Sequence, residues 1–481
     1  MIRSLPTPLP IALTTTLALL GGCTGVLEDG PAGSAGSDGP GTGGGGSKGD
    51  NLDPDSGMPI DEEPEGPFTH AWYTDIGPIL IKNCGSCHQP NGSGPFAMTY
   101  ELAKAWAPLI KSTTAERTMP PMPVNNDGTC QSFDNARWLT DAEIQAIGEW
   151  VDEGAPHGPV TDLASFPADL SLSDPNLTVK MPTAYTPAGN VSDDYRCFPV
   201  TPNIANDVFL TSYEVVPQSR RIAHHMILYM VPTNDQSWVT TEDAKSATPG
   251  YPCFGTIGSP NGDAAQPVAV WAPGGGRIDF PEGTGVRIPK GRMLVIQMHY
   301  NLAQGPDTDL TAVKMKVTNS VAHEAFFFPL ADTTFKAPPQ MELFKTTPNG
   351  ASDLLSITDG SFNMLAPMTV YGVFPHMHQK GRTLRVTYRS ALNLAPEQCL
   401  VDVDRWDFRW QEGWWYPKPI YLTGGGLEAL DRQLMIQCGY NTMDTNTTTT
   451  WGENTSDEMC LNYLYVTSPD LQSLLNVLSG G

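Results

Sequence analysis

The spacing of apolar residues changes once along the chain. In the first part, residues 67–160, apolar side chains recur three or four positions apart, which predicts short amphipathic helices. The positions with this spacing are Ile76, Ile79, Leu80, Ile81, Ile144, Ile147 and Val151. Thr140 and Glu143 form a capping-box sequence before the last helix, and Gly154 with Pro156 ends it. The first part is therefore predicted to be a small helical domain.

Beyond residue 176 the apolar residues alternate with polar ones or form short β-branched runs. The clearest runs are 208–216, 293–300, 369–374 and 384–388. Pro, Gly, Asn and Asp separate them, as expected for strands joined by turns. This pattern favours antiparallel sheets in a sandwich or a barrel, and about 300 residues is large for one sandwich, so two are expected. The predicted fold class is mainly β, with two antiparallel, jelly-roll-like sandwiches after the helical domain.

The N-terminus has the pattern of an exported lipoprotein. Arg3 and an apolar stretch at 9–20 precede the sequence Leu-Gly-Gly-Cys that ends at Cys23, which resembles a bacterial lipoprotein signal. We expect a signal peptide at 1–22 and a lipid on Cys23; an ordinary signal peptide with an incidental cysteine is the alternative. Residues 23–66, rich in Gly, Ser and acidic residues, are expected to form a disordered tether. The sorting of such lipoproteins would place the protein at the outer membrane, facing the periplasm.

Composition and charge limit the partners. The 481 residues are 40% hydrophobic, which is sufficient for packed cores. A net charge of −24 argues against a nucleic-acid partner, because phosphate binding requires a basic face. No later segment has the apolar length needed to span a bilayer, so membrane contact is expected only through the lipid. Export implies an oxidising compartment, and the disulfide candidates are Cys130, Cys197, Cys253, Cys399, Cys438 and Cys460.

The helical part contains a haem-attachment sequence, Cys84-Gly85-Ser86-Cys87-His88. Cys84 and Cys87 would bond to the porphyrin, and His88 would bind the iron. Met119 is the candidate second iron ligand, because its surroundings resemble the Met-Pro-Pro loop of small cytochromes c, whereas Met122 is expected to pack in a core. A His/Met pair raises the iron potential and suits electron transfer. We predict one covalent haem c in a cytochrome domain at 67–160; a zinc or thiol-redox site is the alternative.

Five of the nine histidines fall into three short clusters in the β part. The clusters are His224-His225, Gln297-Met298-His299 and His376-Met377-His378. Residues two apart in a strand share a face, so His376 and His378 can bind one metal ion. His224 and His225 would point in opposite directions unless they lie at a strand end or a bulge. Imidazoles combined with a thioether such as that of Met459 are typical of copper sites.

The order of these clusters resembles the type II copper monooxygenases, the family of dopamine β-monooxygenase and peptidylglycine α-hydroxylating monooxygenase. The matching segments are His-His-Met at 224–226, Gln-Met-His-Tyr at 297–300, His-Met-His at 376–378 and Asp-Glu-Met-Cys at 457–460. The resemblance covers the whole β part. It implies two β-sandwich subdomains, at 176–325 and 326–478, that face each other across a solvent-filled cleft and hold one copper ion each.

Carried over position by position, the resemblance also implies which residues hold the metals. The ligands of the electron-transfer copper would be His224, His225 and His299. The ligands of the oxygen-binding copper, where catalysis occurs, would be His376, His378 and Met459. Gln297 and Tyr463 match positions near the metals. Among the cysteines, Cys438 with Cys460 matches a disulfide of the family; Cys197 with Cys253 is a further candidate, and the pairing of Cys130 and Cys399 stays open.

The implied reaction inserts one atom of O2 into an aliphatic C–H bond of a small organic substrate and reduces the other atom to water, using two electrons. A thioether-containing site stabilises Cu(I). The electrons would come from an external donor, either an ascorbate-like reductant or a redox protein, and would pass through the haem. A cytochrome that only docks to a respiratory partner is the alternative to this relay. A copper-binding or electron-transfer lipoprotein without oxygenase activity is the alternative function.

Two further features bear on the substrate. In the peptide-amidating members an arginine two residues before His-x-His reads the substrate carboxylate, whereas this chain has Phe374 there. This difference argues against peptide amidation. The aromatic residues between Trp406 and Tyr416 could line a substrate pocket, but packing in a core or an interface is favoured because large aromatics are common in β-sandwich cores.

Overall fold

The computed structural model contains a small helical module and a large β region. It describes residues 68–90, 94–163, 171–253, 256–260, 265–271, 275–302, 305–347, 359–392, 394–408, 410–452 and 457–470. The predicted signal peptide, Cys23 and the predicted tether lie outside the described residues. Within these ranges no helix is both long and apolar enough to cross a membrane.

The helical module packs around one core. Its elements are a π-helical turn (Trp72–Ile76), α1 (Gly77–Cys84), α2 (Tyr100–Ala105), α3 (Ala107–Ala115) and α4 (Asp141–Asp152). The core side chains include Trp72, Ile76, Leu80, Tyr100, Ile147 and Trp150. The Thr140 hydroxyl accepts a hydrogen bond from the Glu143 amide, and the Glu143 carboxylate accepts one from the Thr140 amide. The predicted capping box therefore begins α4.

Short strands are the main secondary structure of the remaining described residues, and the predicted mainly β class is confirmed. The strands of the first half are β1 (Leu177–Lys180), β2 (Asp193–Val200), β3 (Val208–Val216), β4 (Ala223–Met230), β5 (Tyr251–Pro252), β6 (Gln266–Trp271), β7 (Ile278–Asp279), β8 (Thr284–Ile288), β9 (Leu294–Asn301) and β10 (Ala312–Thr318). The helical elements among them are a 3-10 turn (Thr233–Asp235) and α5 (Gln236–Lys245). The strands of the second half are β11 (His323–Ala331), β12 (Lys336–Ala337), β13 (Phe344–Lys345), β14 (Ser361–Asn363), β15 (Met368–His376), β16 (Gly381–Ser390), β17 (Gln398–Val403), β18 (Trp414–Leu422), β19 (Arg432–Tyr440), β20 (Thr449–Thr450) and β21 (Leu461–Thr467), with a 3-10 turn (Gly426–Leu430).

A nine-stranded sheet runs through the whole β region. Its order is β1-β10-β3-β8-β11-β21-β15-β18, with β7 paired to β3. One core lies between the first strands of this sheet and a five-stranded sheet ordered β5-β2-β9-β4-β6. A second core lies between its last strands and a five-stranded sheet of β13, β19, β16 and β17, in which β14 also pairs with β19. We call these two layered halves the first and second β units.

The units are joined by β11, which spans the predicted boundary between residues 325 and 326. β11 pairs in parallel with β8 of the first unit and antiparallel with β21 of the second. The two halves therefore share one hydrogen-bonded backbone layer.

The chain between α3 and α4 docks the helical module on the second β unit. Met122, Val124 and Phe133 are buried in the core of that unit, and Val124 forms a bridge with Val403 on β17. A disulfide joins Cys130 to Cys399, 269 residues apart, and completes the pairing that the sequence left open. The predicted core role of Met122 is thus realised in the neighbouring unit.

Replacing both Cys130 and Cys399 with serine is expected to lower the free energy of unfolding by about 2–5 kcal/mol, because a bridge that closes a long loop restricts the unfolded chain. Urea denaturation monitored by tryptophan fluorescence measures the loss. The matched control replaces Cys197 and Cys253, which bridge only 56 residues and should cost less. A larger loss in the control would contradict the prediction.

Candidate metal centre

The first histidine group is built on two neighbouring strands of the first β unit. His225 on β4 is the register partner of His299 on β9, and the register shifts at His224. This bulge lets two adjacent residues contribute to one site. The nearest ring nitrogens of all three residues lie within 4.8 Å of one another. His225 Nδ1 is 3.4 Å from His224 Nδ1 and 3.2 Å from His299 Nδ1.

β2 supplies an acidic partner to this group. Asp193 Oδ1 accepts a hydrogen bond from His299 Nε2 at 2.9 Å, which leaves the Nδ1 of that ring for a metal ion. Tyr195 follows on the same face and stacks on His299 with ring centres 4.2 Å apart. The hydrogen bond from His299 lowers the pKa of Asp193. Burial lowers the pKa of His299 and takes that of His225 well below its usual value, so the rings are held in the neutral form that binds metals.

Asp193→Asn is expected to weaken copper binding at the first histidine group by about 10- to 100-fold, because the partners of ligating histidines fix ring orientation and basicity. Titration against a competing copper chelator measures the affinity. Asp194→Asn is the matched control, since Asp194 instead accepts a hydrogen bond from the Tyr185 hydroxyl at 2.6 Å. Equal losses of copper affinity in the two variants would show that the Asp193–His299 hydrogen bond does not contribute specifically to copper binding.

The second histidine group lies where β15 ends. His376 is the last residue of β15 and pairs in register with Leu461 on β21. His378 follows two positions later, and the two ring centres are 5.4 Å apart. His376 Nδ1 donates to Gln411 Oε1 at 2.6 Å, and His378 Nδ1 donates to the Asp457 carbonyl at 3.3 Å. Each ring therefore keeps its Nε2 for a metal ion, and burial lowers the pKa of His376.

Glu458 joins the Met459 segment to the turn that carries His378. The Glu458 carboxylate is buried and accepts hydrogen bonds from the backbone amides of His378, at 2.9 Å, and Lys380, at 2.5 Å. Burial raises the pKa of Glu458 to about 7, although these amides oppose the shift. The carboxylate thus determines where the backbone just before Met459 lies relative to His378.

Met459 is also held from its other side. Cys460 is bonded to Cys438 on β19, and the Tyr440 hydroxyl donates to the Met459 carbonyl at 3.0 Å. Met459 itself is buried. The three predicted ligands His376, His378 and Met459 are thus carried by segments that the carboxylate and the disulfide fix to each other.

One aromatic ring lies near both groups. The Phe408 ring centre lies 6.2 Å from that of His224, 6.1 Å from that of His299 and 6.4 Å from that of His378. The last two distances place the His299 and His378 rings at most 12.5 Å apart. Phe408 belongs to the segment 404–413, which joins β17 to β18. Phe408 is half-buried, and the segment is held at the end of β15 by hydrogen bonds from Trp406 to the His378 carbonyl and from His376 to Gln411.

Gln297 and Tyr463, the two residues predicted to lie near the metals, are on the strands that neighbour the histidine groups. Gln297, two residues before His299 on β9, donates to the Thr256 carbonyl at 2.5 Å. Tyr463 on β21 pairs in register with Phe374 on β15, and both pack against the core of the first unit. The faces that carry His299 and His376 therefore also carry these side chains.

The haem-attachment sequence occupies the end of α1 and the turn after it. Cys84 and Cys87 are free thiols, and the His88 amide donates to the Cys84 carbonyl at 2.9 Å. His88 Nδ1 donates to the Phe96 carbonyl at 3.1 Å, which leaves Nε2 for a metal ion. Burial lowers the pKa of His88. The histidine is therefore favoured in its neutral form, and Nε2 is the ring nitrogen that this hydrogen bond leaves for a metal ion.

Large apolar side chains are exposed between His88 and Met119. Leu102, Trp106 and Leu109 are 39%, 43% and 49% exposed, and Met119 is 40% exposed. Trp106 stacks on Phe96, with ring centres 5.4 Å apart, and Phe96 contacts His88. The Met119 amide donates to the Thr113 carbonyl one turn beyond Leu109 on α3. An exposed apolar patch marks a binding surface, and here it extends from one predicted iron ligand toward the other.

Comparison with known proteins agrees with the copper assignment. The chain is 23% identical over 354 residues to a tyramine beta-hydroxylase of Caenorhabditis briggsae, covering 68% of this chain and 54% of that protein. It is 22% identical to DBH-like monooxygenase protein 2 of Mus musculus, covering 52% and 39%, and 23% identical to DBH-like monooxygenase protein 1 of Gallus gallus, covering 50% and 39%. The chain thus spans about half the length or less of these relatives.

Similarity to solved structures is weak. A tandem CBM22 domain of Paenibacillus barcinonensis Xyn10C aligns with a TM-score of 0.16 and 6% identity, covering 61% of this chain and 93% of that one. An infectious bursal disease virus structure aligns with a TM-score of 0.18 and 10% identity, covering 62% and 75%. These scores carry no argument about the fold.

Two family models match the β region and exclude the helical module. The N-terminal domain of the copper type II ascorbate-dependent monooxygenases matches residues 177–306, and the C-terminal domain matches residues 356–473. The first match contains the first histidine group, and the second contains His376, His378 and Met459. Because the two matches together span more than half of the 481 residues, the chain belongs to the copper type II ascorbate-dependent monooxygenase family.

Proposed function

We propose that this protein hydroxylates an aliphatic C–H bond of a small organic substrate with O2. The observation that carries the proposal is the placement of the two histidine groups near one shared aromatic ring, that of Phe408. The donor sets fit copper, since neutral imidazole and thioether sulfur are ligands that copper accepts. Copper held by His224, His225 and His299 and by His376, His378 and Met459 would supply one-electron redox chemistry and, at the second group, activation of O2.

The chain's own residues orient these ligands. Asp193 and Gln411 each hold one ring nitrogen of a histidine and leave the other nitrogen for the metal. The overall change is R–H + O2 + 2e⁻ + 2H⁺ → R–OH + H2O. One oxygen atom enters the substrate, and the other leaves as water.

The site does not support selection of a substrate by its carboxylate, because the position that binds one in the peptide-amidating members is apolar here. Phe374 is buried against Phe327 and Trp415, with ring centres 4.9 and 5.5 Å away. This position therefore offers no cation to a substrate carboxylate, which argues against a peptide with a free C-terminus as the substrate. Tyramine is the first compound to test, since one relative is named for its hydroxylation.

The helical module serves as the electron donor through a covalent haem c. Three observations support this assignment: Cys84 and Cys87 are not in a disulfide, His88 leaves its Nε2 for a metal, and exposed apolar side chains lead to Met119. Such a haem would supply one-electron transfer at a raised potential. An external donor, either an ascorbate-like reductant or a redox protein, reduces the module in turn.

The signal-like N-terminus supports the same picture. Haem c and disulfides both suit an oxidising compartment, and a lipid on Cys23 would anchor the protein to a membrane on the periplasmic side. Metabolic labelling with a radioactive fatty acid tests this anchor, because Cys23→Ser should abolish the label. Labelling that persists in the variant would disprove attachment at Cys23.

Metal and haem content, together with coupled turnover, test the proposed function. Purified full-length protein should contain two copper ions and one haem, and O2 uptake with a reductant should match hydroxylated product mole for mole. Cys84→Ala/Cys87→Ala should lose the covalent haem absorbance and keep copper. Zinc in place of copper, or O2 uptake without any hydroxylated product across a C–H substrate screen, would overturn the oxygenase assignment.

A further inference from the structure

The segment 404–413 contacts three functional parts of the molecule. Phe408 lies against both histidine groups, as described above. The Trp406 indole Nε1 donates to the His378 carbonyl at 3.0 Å. At its far end the segment meets the helical module, where the Asn135 side chain donates to the Gly413 carbonyl at 2.7 Å. Since the matched family domains do not include the helical module, this connection belongs to the present chain.

Gln411 gives the segment direct control over one predicted copper ligand. Its Nε2 donates to the Phe408 carbonyl at 2.8 Å, which turns Oε1 toward His376. Oε1 then accepts the His376 Nδ1 hydrogen at 2.6 Å. An acceptor at Nδ1 fixes both the tautomer and the tilt of a ligating imidazole. A shift of the 404–413 backbone would therefore rotate His376 or break this bond.

The neighbouring residue, Glu412, ties the segment to the helical module. Arg137 Nη2 donates to both carboxylate oxygens of Glu412 at 2.8 Å. The side chains are only 18% and 11% exposed, so the pair is shielded from solvent and little screened by salt. Burial opposes the charge on Arg137, but Glu412 and, to a smaller extent, Cys87 raise the pKa of its guanidinium.

A cation–π contact supports the same junction. The Arg405 guanidinium lies 5.6 Å from the centre of the Trp138 ring, and Arg117 lies 4.4 Å from the same ring. Trp138 thus joins the segment to the chain next to Met119. Both ends of the segment, Arg405 and Glu412, are held by adjacent residues of one module, Trp138 and Arg137.

We propose that the Arg137–Glu412 pair is the positioning contact by which the helical module sets the geometry of the second histidine group, acting through Gln411 on His376. This inference rests on the proposed copper function. It assigns the module a second role beside electron supply, because a module that is undocked or wrongly folded would leave the oxygen-binding group misaligned. Full activity would then require a docked module.

The test uses full-length protein in which Arg137 and Glu412 are both replaced with methionine. Removing both charges avoids leaving one buried charge unpaired, which would destabilise the protein for a trivial reason. The matched control is Arg287→Met/Asp207→Met, because that pair has the same 2.8 Å separation but is exposed on the first unit. The readouts are copper content, the EPR spectrum of the oxidised protein, and kcat and KM. Met459→Ile identifies which EPR signal belongs to the second group.

We expect the second-group EPR signal to shift and kcat to fall by about 10-fold or more, as for other partners of ligating histidines, with the first-group signal and copper content unchanged. The control should match the wild type. Gln411→Leu should reproduce the shift of the EPR signal with the module still docked. Gln411→Glu keeps an acceptor oxygen and should therefore show an EPR signal and a kcat close to those of the wild type. If the double variant does not fold, the two Gln411 variants carry the test alone.

The failures are distinguishable. A wild-type protein that holds no copper or forms no hydroxylated product fails the proposed function. A wild type that works, together with charge-free and Gln411→Leu variants whose second-group signal and kcat are unchanged, overturns the positioning role alone. A shift of both EPR signals would also overturn it, because that result would indicate a general disturbance and no specific action on His376.

Discussion

Met459→Ile is expected to abolish hydroxylation, with a loss of at least about 100-fold in kcat/KM, while copper stays bound at the first histidine group. A metal ion contributes several kcal/mol of transition-state stabilisation, and each 1.4 kcal/mol is a factor of ten in rate. Isoleucine nearly preserves the volume of methionine and removes only the sulfur. Product analysis by mass spectrometry and copper analysis of the same sample measure the two effects.

The control for this variant is Met368→Ile. Met368 is fully buried on β15, the strand that also carries His376, so the substitution makes the same chemical change in the same unit without touching the site. A swap that conserves volume should cost less than about 1.5 kcal/mol of stability. If Met459→Ile retains hydroxylation at the level of Met368→Ile, the thioether is not a ligand and the donor set must be reassigned.

His225→Ala is expected to remove the copper of the first group and to lower steady-state turnover by at least about 100-fold, since several kcal/mol depend on the ion. His225 is central to the group, because its Nδ1 lies within 3.4 Å of a ring nitrogen of each partner. Copper content should fall from two ions to one. A single turnover of pre-reduced protein should also be impaired, since the second electron has no source near the second group.

His323→Ala serves as the matched control, because His323 is exposed at the start of β11 and outside both groups. Its copper content and turnover should equal those of the wild type. Loss of the second-group signal in His225→Ala would contradict the assignment, because it would mean that the two groups form one site.

The local part of the site follows from strand geometry and chain order. The alternating run at 369–374 predicts the strand that carries His376, although His378 lies just beyond its end and not on a shared strand face. A bulge is one of the arrangements by which strand geometry lets His224 and His225 contribute to one site. The helix that starts at Thr140 is similarly local, since its capping box needs only three residues of sequence. These features depend on neighbours along the chain, so the sequence could predict them.

The partners that orient the histidines could not be found in this way. Asp193 lies 106 residues before His299 in sequence, and Gln411 lies 35 residues beyond His376; neither belongs to a spaced motif. Glu458 is easier to find from the sequence, because it is next to the predicted ligand Met459. Its buried position, however, depends on the turn at His378. Arg137 and Glu412 are 275 residues apart. Such pairs form only when the sheets have assembled, so the spacing of residues along the sequence does not predict them.

The sheet that continues through β8 and β11 affects how a substrate can reach the metals. Changing the separation of the two histidine groups by a hinge between the β units would require breaking or bending backbone pairing from Thr284 to Val286 against His323 to Ala325. Among its described residues, the connection between β17 and β18 at 404–413 is not part of this pairing. A substrate should therefore reach the metals without a hinge opening between the β units, and amide hydrogen exchange should be slower in β11 than in this connection.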